Sequence, residues 1–209
     1  MIVVGVWSEH VVPRVTDVAL GRPAVRRLRE RALAPARGVV VDLGSGSAPN
    51  LPLLPPAVTR VLAVEPSAAA RRLAAPRIAA ADVPVDYVGL DGAALPLAGG
   101  SADTVVSTFT LCTIPDLDAA LAEVRRVLRP EGQFLLLDHG LSPEPSVTRW
   151  QHRLTGLQQR LVAGCHLERD IAGRVERAGF TLTALEAVAI PGPSVLNHVV
   201  LGAARPTPG

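Results

Sequence analysis

The run Val39-Val40-Val41-Asp42-Leu43-Gly44-Ser45-Gly46-Ser47-Ala48 limits the folds open to this chain more than any other segment. Three β-branched apolar residues read as a buried strand, an acid closes it, and a glycine turn follows. That order sets bare backbone N–H groups and one carboxylate at the carboxyl edge of a parallel sheet, where open α/β folds bind nucleotide-like ligands. Composition points the same way. The chain is 48% hydrophobic but only 3% aromatic, so its core has to be Val, Leu and Ala, which suits a parallel sheet under helices. Its 209 residues fit one domain.

Apolar spacing organises the rest. Val11, Val12, Val15, Val18 and Ala19 predict a helix over about 10–20. An arginine-rich helix follows from Pro23 to Leu33, with Val25, Leu28, Ala32 and Leu33 inward and its arginines toward solvent. Strands are expected at about 38–43, 60–65, 83–90, 102–108 and 134–138, and two weaker ones at 181–190 and 196–204. The segment 48–56 is too rich in proline for more than two helical turns. Ser67 caps a helix over 68–75, and Asp116 caps one whose stripe is Leu117, Ala120, Leu121, Val124 and Leu128. Arg129-Pro130-Glu131-Gly132 reads as a turn. Further helices are expected at about 146–162 and 170–178, the latter closed by Gly179. Strands alternating with helices give a mostly parallel sheet with an antiparallel edge strand at the end.

The charge balance excludes some roles. All 21 basic residues are arginine, yet the net charge is only +2, and no basic platform interleaved with aromatics offers itself to nucleic acid. Two distant cysteines make no disulfide framework. No apolar run reaches the roughly 18 residues that span a bilayer. Met1–Trp7 lacks the basic start and cleavage site of a signal peptide, so a cytoplasmic protein is expected. The apolar balance leaves room for brief contact with lipid, without an anchor.

Three expected strand ends carry the chemistry. The first gives Asp42 and the Gly44-Ser45-Gly46 loop. The second gives Glu65-Pro66, whose carboxylate can accept both ribose hydroxyl protons. The third gives Asp91-Gly92-Ala93, a carboxylate and bare amides able to read the adenine edge. Read singly, Asp42 also fits a helix cap, Glu65 a surface acid and Asp91 a turn former. A dinucleotide fingerprint wants a third glycine where this chain has Pro49, which removes an N–H from a pyrophosphate site. Together the three ends describe an adenosine pocket with no place for phosphates.

Val40–Gly46, Val64-Glu65-Pro66, Leu90-Asp91-Gly92, "LPLAGGSADTVVSTFTLCTIPD" and "LAEVRRVLRPEGQFLLLDHG" resemble the class I S-adenosylmethionine-dependent methyltransferases over about residues 38–140. Ala48 departs from the glycine of many members. The resemblance implies a Rossmann-like α/β fold: a mostly parallel seven-stranded sheet with helices on both faces and N-terminal lid helices. It implies one domain over 1–209, with lid helices at 1–36, a cofactor core at 37–140, and an acceptor-side insertion with terminal strands at 141–209. It implies S-adenosylmethionine as cofactor: Asp42, Gly44, Ser45 and Gly46 around its methionine part, Glu65 and Pro66 at the ribose, and Asp91, Gly92 and Ala93 at the adenine. It adds Thr108 and Leu111 to that set.

The flanking segments "EHVVPRVTDVALG", "TLCTIPD", "DHGLSP", "WQHRL" and "AGCHLERD" are similar to small, often actinobacterial methyltransferases and to the methyltransferase-like 7 group, whose members methylate small thiols. Some relatives carry a phosphatidylethanolamine methyltransferase label. The expected acceptor pocket holds Cys112, His139, Trp150, Cys165 and His166. His139 is the expected acceptor contact or general base, with a histidine bonded into the structure as the alternative. His139, Cys165 and His166 have no compact metal-ligand spacing, so no metal is expected. The rival functions are a phospholipid N-methyltransferase, a nicotinamide-dependent oxidoreductase and a non-catalytic S-adenosylmethionine-binding module.

Overall fold

The computed structural model describes residues 12–161 and 164–208. The Met1–Trp7 segment, and residues 10 and 11 of the expected first helix, lie outside them. The elements are α1 (Val12–Leu20), α2 (Pro23–Leu33), β1 (Gly38–Leu43), a 3-10 turn (Leu51–Leu53), β2 (Val58–Val64), α3 (Ala68–Ala79), β3 (Val85–Gly89), β4 (Ala102–Thr108), α4 (Leu117–Val127), β5 (Leu128–His139), α5 (Pro145–Leu161), α6 (Ile171–Arg177), β6 (Phe180–Ala189) and β7 (His198–Pro206).

The seven strands form one sheet in the order β3-β2-β1-β4-β5-β7-β6. β1 pairs in parallel with both β2 and β4, so the chain reverses its direction of travel across the sheet at that point. Ligands of open α/β folds bind beyond such a switch point. Because β1 to β5 are all parallel, their carboxyl ends share one edge.

The pleat sends alternate residues to opposite faces. Val41 and Leu43 of β1 belong to one cluster with Leu117, Leu121 and Val124 of α4 and Ile171 and Val175 of α6. Val40 faces the other way, with Val61, Val106, Ala74 of α3 and Leu33 of α2. Leu28 and Ala32 of α2 lie on Leu137 and Val199, so α2 is packed against β5 and β7. Helix starts follow their caps: Ser67, Asp116 and Asp170 each accept the N–H three residues on.

Three local expectations change. The antiparallel strand β7 is the last described strand, but it lies inside the sheet between β5 and β6, and β6 forms the edge. Residues 129–132 do not separate α4 from a strand. They form an irregular start to β5, where the register against β4 shifts between Ala102 and Thr104. α3 continues past its expected end to Ala79 with Pro76 inside it. Among the described residues no helix is long and apolar enough to cross a membrane.

Candidate active site

The loop after β1 is held in a shape that needs glycine. Gly44 and Gly46 sit at φ +68° and +56°, and a Cβ on Gly44 would fall 2.3 Å from the Thr110 side chain. The N–H groups of Gly44 and Ser45 donate to the carbonyl of Val64, folding the loop over the tip of β2. There the Glu65 carboxylate accepts from Gly46 N at 2.8 Å and from Ser67 N at 2.7 Å. Burial raises the Glu65 pKa, and those two N–H groups pull it back. Arg71 donates to the carbonyls of Glu65 and Gly89, tying the tip of β2 to that of β3.

Asp91 follows β3 with its carboxylate exposed, and its Oδ1 accepts from Ala93 N at 2.8 Å. A Cβ on Gly92 would lie 2.8 Å from a methyl of Leu43 and 3.5 Å from Ile114, so this loop runs against the tip of β1. Glu65, Asp91 and the glycine loop therefore border one stretch of the sheet edge. Inside the loop the Ser45 hydroxyl is buried without a hydrogen-bond partner. Ala48 occupies φ +59°, which explains why glycine suits that position.

Asp42 and Thr108 are placed differently. Both are buried in a network that sequence reasoning missed. Asn50 Nδ2 donates to Asp42 Oδ1 at 2.9 Å, and Arg29 Nη1 donates to Asn50 Oδ1 at 2.8 Å and to the Thr108 hydroxyl at 2.5 Å. Arg29 corrects the expectation that the arginines of α2 face solvent: it is only 2% exposed. Burial holds the Asp42 pKa at about 6, with Asn50 and Arg29 opposing the rise, and lowers that of Arg29 to about 10. A carboxylate and a guanidinium thus share one dry site, bridged by an amide. The side chain of Leu111 is wholly buried in the core near Leu43, so it supports the site edge and presents no surface to a ligand.

Asp138 organises the loop after β4. Fully buried, it accepts the N–H groups of Thr110, Leu111 and Cys112 at 3.0, 2.9 and 3.1 Å. Its pKa is raised by burial. Phe109, at φ +56°, lays its ring edge-on to His139 at 5.2 Å and lies under Arg29 at 5.5 Å. A non-glycine residue held there is strained, and such strain gathers at functional sites.

Cys112, His139 and Cys165 converge, their ligand atoms within 4.8 Å of one another. The hydrogen bond to Cys165, with burial, pushes the Cys112 thiol up. The Cys165 pKa is lowered to about 6, first by that bond and then by His139. His166 points elsewhere and pairs with Glu168 at 2.9 Å and with Gln159. Trp150 lies on the surface of α5. It is 53% exposed under Arg153, while the neighbouring Gln151 turns inward to the carbonyls of Gly140 and Val195. The sequence groups these three in one expected pocket, but their spacing gives no sign that their ligand atoms approach so closely, because they come from separate elements.

Known proteins resemble the chain in the same region. Residues 41–136 match the methyltransferase domain family model. The human thiol S-methyltransferase TMT1A is 37% identical over 97 residues, covering 46% of this chain and 39% of its own length. The ubiquinone/menaquinone biosynthesis C-methyltransferase UbiE of Rubrivivax gelatinosus is 37% identical over 109 residues, covering 52% of this chain and 42% of its own. The chain thus spans less than half the length of these relatives. In the solved structure of a putative methyltransferase from Bacillus halodurans the fold recurs with a TM-score of 0.69 at 16% identity, over 87% of this chain and 98% of that one.

Proposed function

We propose that the protein is a class I S-adenosylmethionine-dependent methyltransferase, as the match of residues 41–136 to a methyltransferase domain supports, and that it binds that cofactor across the tips of β1, β2 and β3 and methylates a small thiol. The observation that carries this reading is Glu65, clasped by Gly46 N and Ser67 N beside two left-handed glycines, with Asp91 on the same edge. The unpartnered Ser45 hydroxyl inside that loop is a polar group a bound ligand can satisfy. Gly44, Ser45 and Gly46 face the amino-acid part, Glu65 and Pro66 the ribose, and Asp91, Gly92 and Ala93 the adenine. Asp42 and Thr108 act as positioning residues through Asn50.

S-adenosylmethionine supplies a methyl group on a positively charged sulfur. The chain's part is to hold the acceptor in line with that methyl, which can supply much of the acceleration. Cys112 and Cys165 line the acceptor side, and His139 touches the acceptor. A thiol ionises at about pH 8.5 unaided, so it needs less help from a base than an amine or alcohol. The similarity to thiol S-methyltransferases supports this acceptor class. Pro49 argues against a nicotinamide dinucleotide, since the N–H that would meet its pyrophosphate is missing. We place the protein in the cytoplasm, acting on small molecules and not on nucleic acid.

Isothermal titration with S-adenosylhomocysteine tests the cofactor, with NADH as the competitor expected to fail. A labelled methyl-transfer screen over thiols, amines, phenols and phosphatidylethanolamine tests the acceptor. Tight cofactor binding without any transfer would mark a binding module. Transfer to the phospholipid alone would replace the thiol.

A further inference from the structure

Three soft donors meet at the tip of β5. Cys112 Sγ, Cys165 Sγ and a ring nitrogen of His139 lie within 4.8 Å of one another. Each donor is set by its own contacts. Cys112 N donates to Asp138, and Cys112 O accepts from His166 N at 2.8 Å, which ties together the two cysteine-bearing loops. His139 closes β5 with its ring against Phe109. The thiols are 1% and 2% exposed and unbridged by a disulfide, while His139 is only half-buried.

We propose that Cys112, Cys165 and His139 hold one borderline-soft divalent cation, Zn2+ by its chemistry, with a fourth position open on the His139 side. Zinc–sulfur and zinc–nitrogen bonds of about 2.3 and 2.0–2.1 Å put tetrahedral ligand atoms about 3.5–3.8 Å apart, so the donors close on an ion by moving about an ångström. Charge favours it. Two thiolates buried together beside the Asp138 carboxylate are costly alone, but a dication cancels two of those charges, and binding releases the protons the thiols still hold. Asp138 stays outside the ligand set, because its oxygens already accept three N–H groups and so hold the Cys112 loop in place. Three protein ligands with one open place is the pattern of reactive zinc sites.

What fills the fourth position rests on the thiol reading above. An entering thiol gives its proton to solvent and binds as thiolate. Its lone pair then forms the new sulfur–carbon bond, as the methyl's bond to the cofactor sulfur breaks and that sulfur keeps the electron pair.

The test is a Co2+ titration of the reduced full chain under anaerobic conditions, read by sulfur-to-cobalt charge-transfer absorption without cofactor or acceptor. The band is expected to saturate at one ion per chain and to be displaced by Zn2+. Cys165→Ser should weaken it greatly, and His139→Ala, at a half-buried position, should shift it with circular dichroism unchanged. His166→Ala should bind as the parent does. Absence of the band in the parent, or its persistence unaltered in both Cys165→Ser and His139→Ala, overturns the site. Adding thiophenol to the cobalt form should change the spectrum, and an unchanged spectrum overturns the open position. A cobalt band together with no methyl transfer to any thiol would fault the acceptor reading and leave the metal site standing.

Discussion

Arg29 reaches from α2 to the tip of β4, where its Nη1 lies 2.5 Å from the Thr108 hydroxyl. The same nitrogen serves Asn50, which in turn donates to Asp42. One arginine thereby couples a helix that precedes the sheet to the ends of the two central strands. Replacing it with methionine keeps the apolar stem but leaves Asp42 buried without a nearby cation. Arg29→Met is expected to lower stability by about 2–4 kcal/mol, seen as a lower urea midpoint at unchanged slope. Arg27→Ala, two residues away on the exposed face of the same helix, should cost under about 0.5 kcal/mol.

Asp42 should leave a signature in the pH dependence of stability. Its folded-state pKa of about 6 exceeds the ordinary 3.8, so the folded chain binds that proton more tightly than the unfolded one. Its contribution is fully present below pH 3.8 and is lost as pH rises through about 6. Asp42→Asn keeps an acceptor for Asn50 and removes the titration. The difference in unfolding free energy between parent and variant should change between pH 4 and 7 and be flat above that range.

Gly44 and Gly46 share a backbone conformation but not a neighbourhood. At Gly44 an added methyl meets Thr110 at 2.3 Å, whereas at Gly46 the nearest atom is a carbonyl oxygen at 3.9 Å. Gly44→Ala should abolish binding of S-adenosylhomocysteine and destabilise the fold. Gly46→Ala should cost the fold only the left-handed penalty, about 1–2 kcal/mol. Thermal unfolding and calorimetric titration of the two variants separate strain from collision.

Glu65→Gln presents an N–H2 where the structure has an acceptor for Gly46 N or Ser67 N. Because one buried N–H then faces another donor, affinity for S-adenosylhomocysteine should fall at least about tenfold, the equivalent of 1.4 kcal/mol. Calorimetry at neutral pH measures it, with the exposed Glu186→Gln as control.

The parallel strands and α4 were legible because their apolar periods are unambiguous, and the glycine loop and Glu65 because a strand end fixes where an acid must sit. Arg29 was legible too, but composition masked it. Residues 25, 28, 29, 32 and 33 fall on one helical stripe, yet the surrounding arginines made the whole set look solvated. Asp138 looked like the end of a strand, and only the loop bonds show its task. Trp150 was placed only by its helix, and the rotation that turns Gln151 inward to the carbonyls of Gly140 and Val195 and leaves Trp150 half exposed was not legible in that helix's mixed pattern. Cys112, His139 and Cys165 were grouped in one expected pocket, but their close approach had no spacing to read, since it exists only once β4, β5 and the loop before α6 are brought together.

The placement of β7 between β5 and β6 has a consequence for synthesis. Until residues 198–206 have left the ribosome, the outer hydrogen bonds of β5 have no mate and β6 has nothing to join. Leu137 meanwhile lacks Val199, its neighbour beneath α2. A nascent chain stalled before that point carries a sticky, half-zipped border, and is the form that chaperones and proteases would meet first.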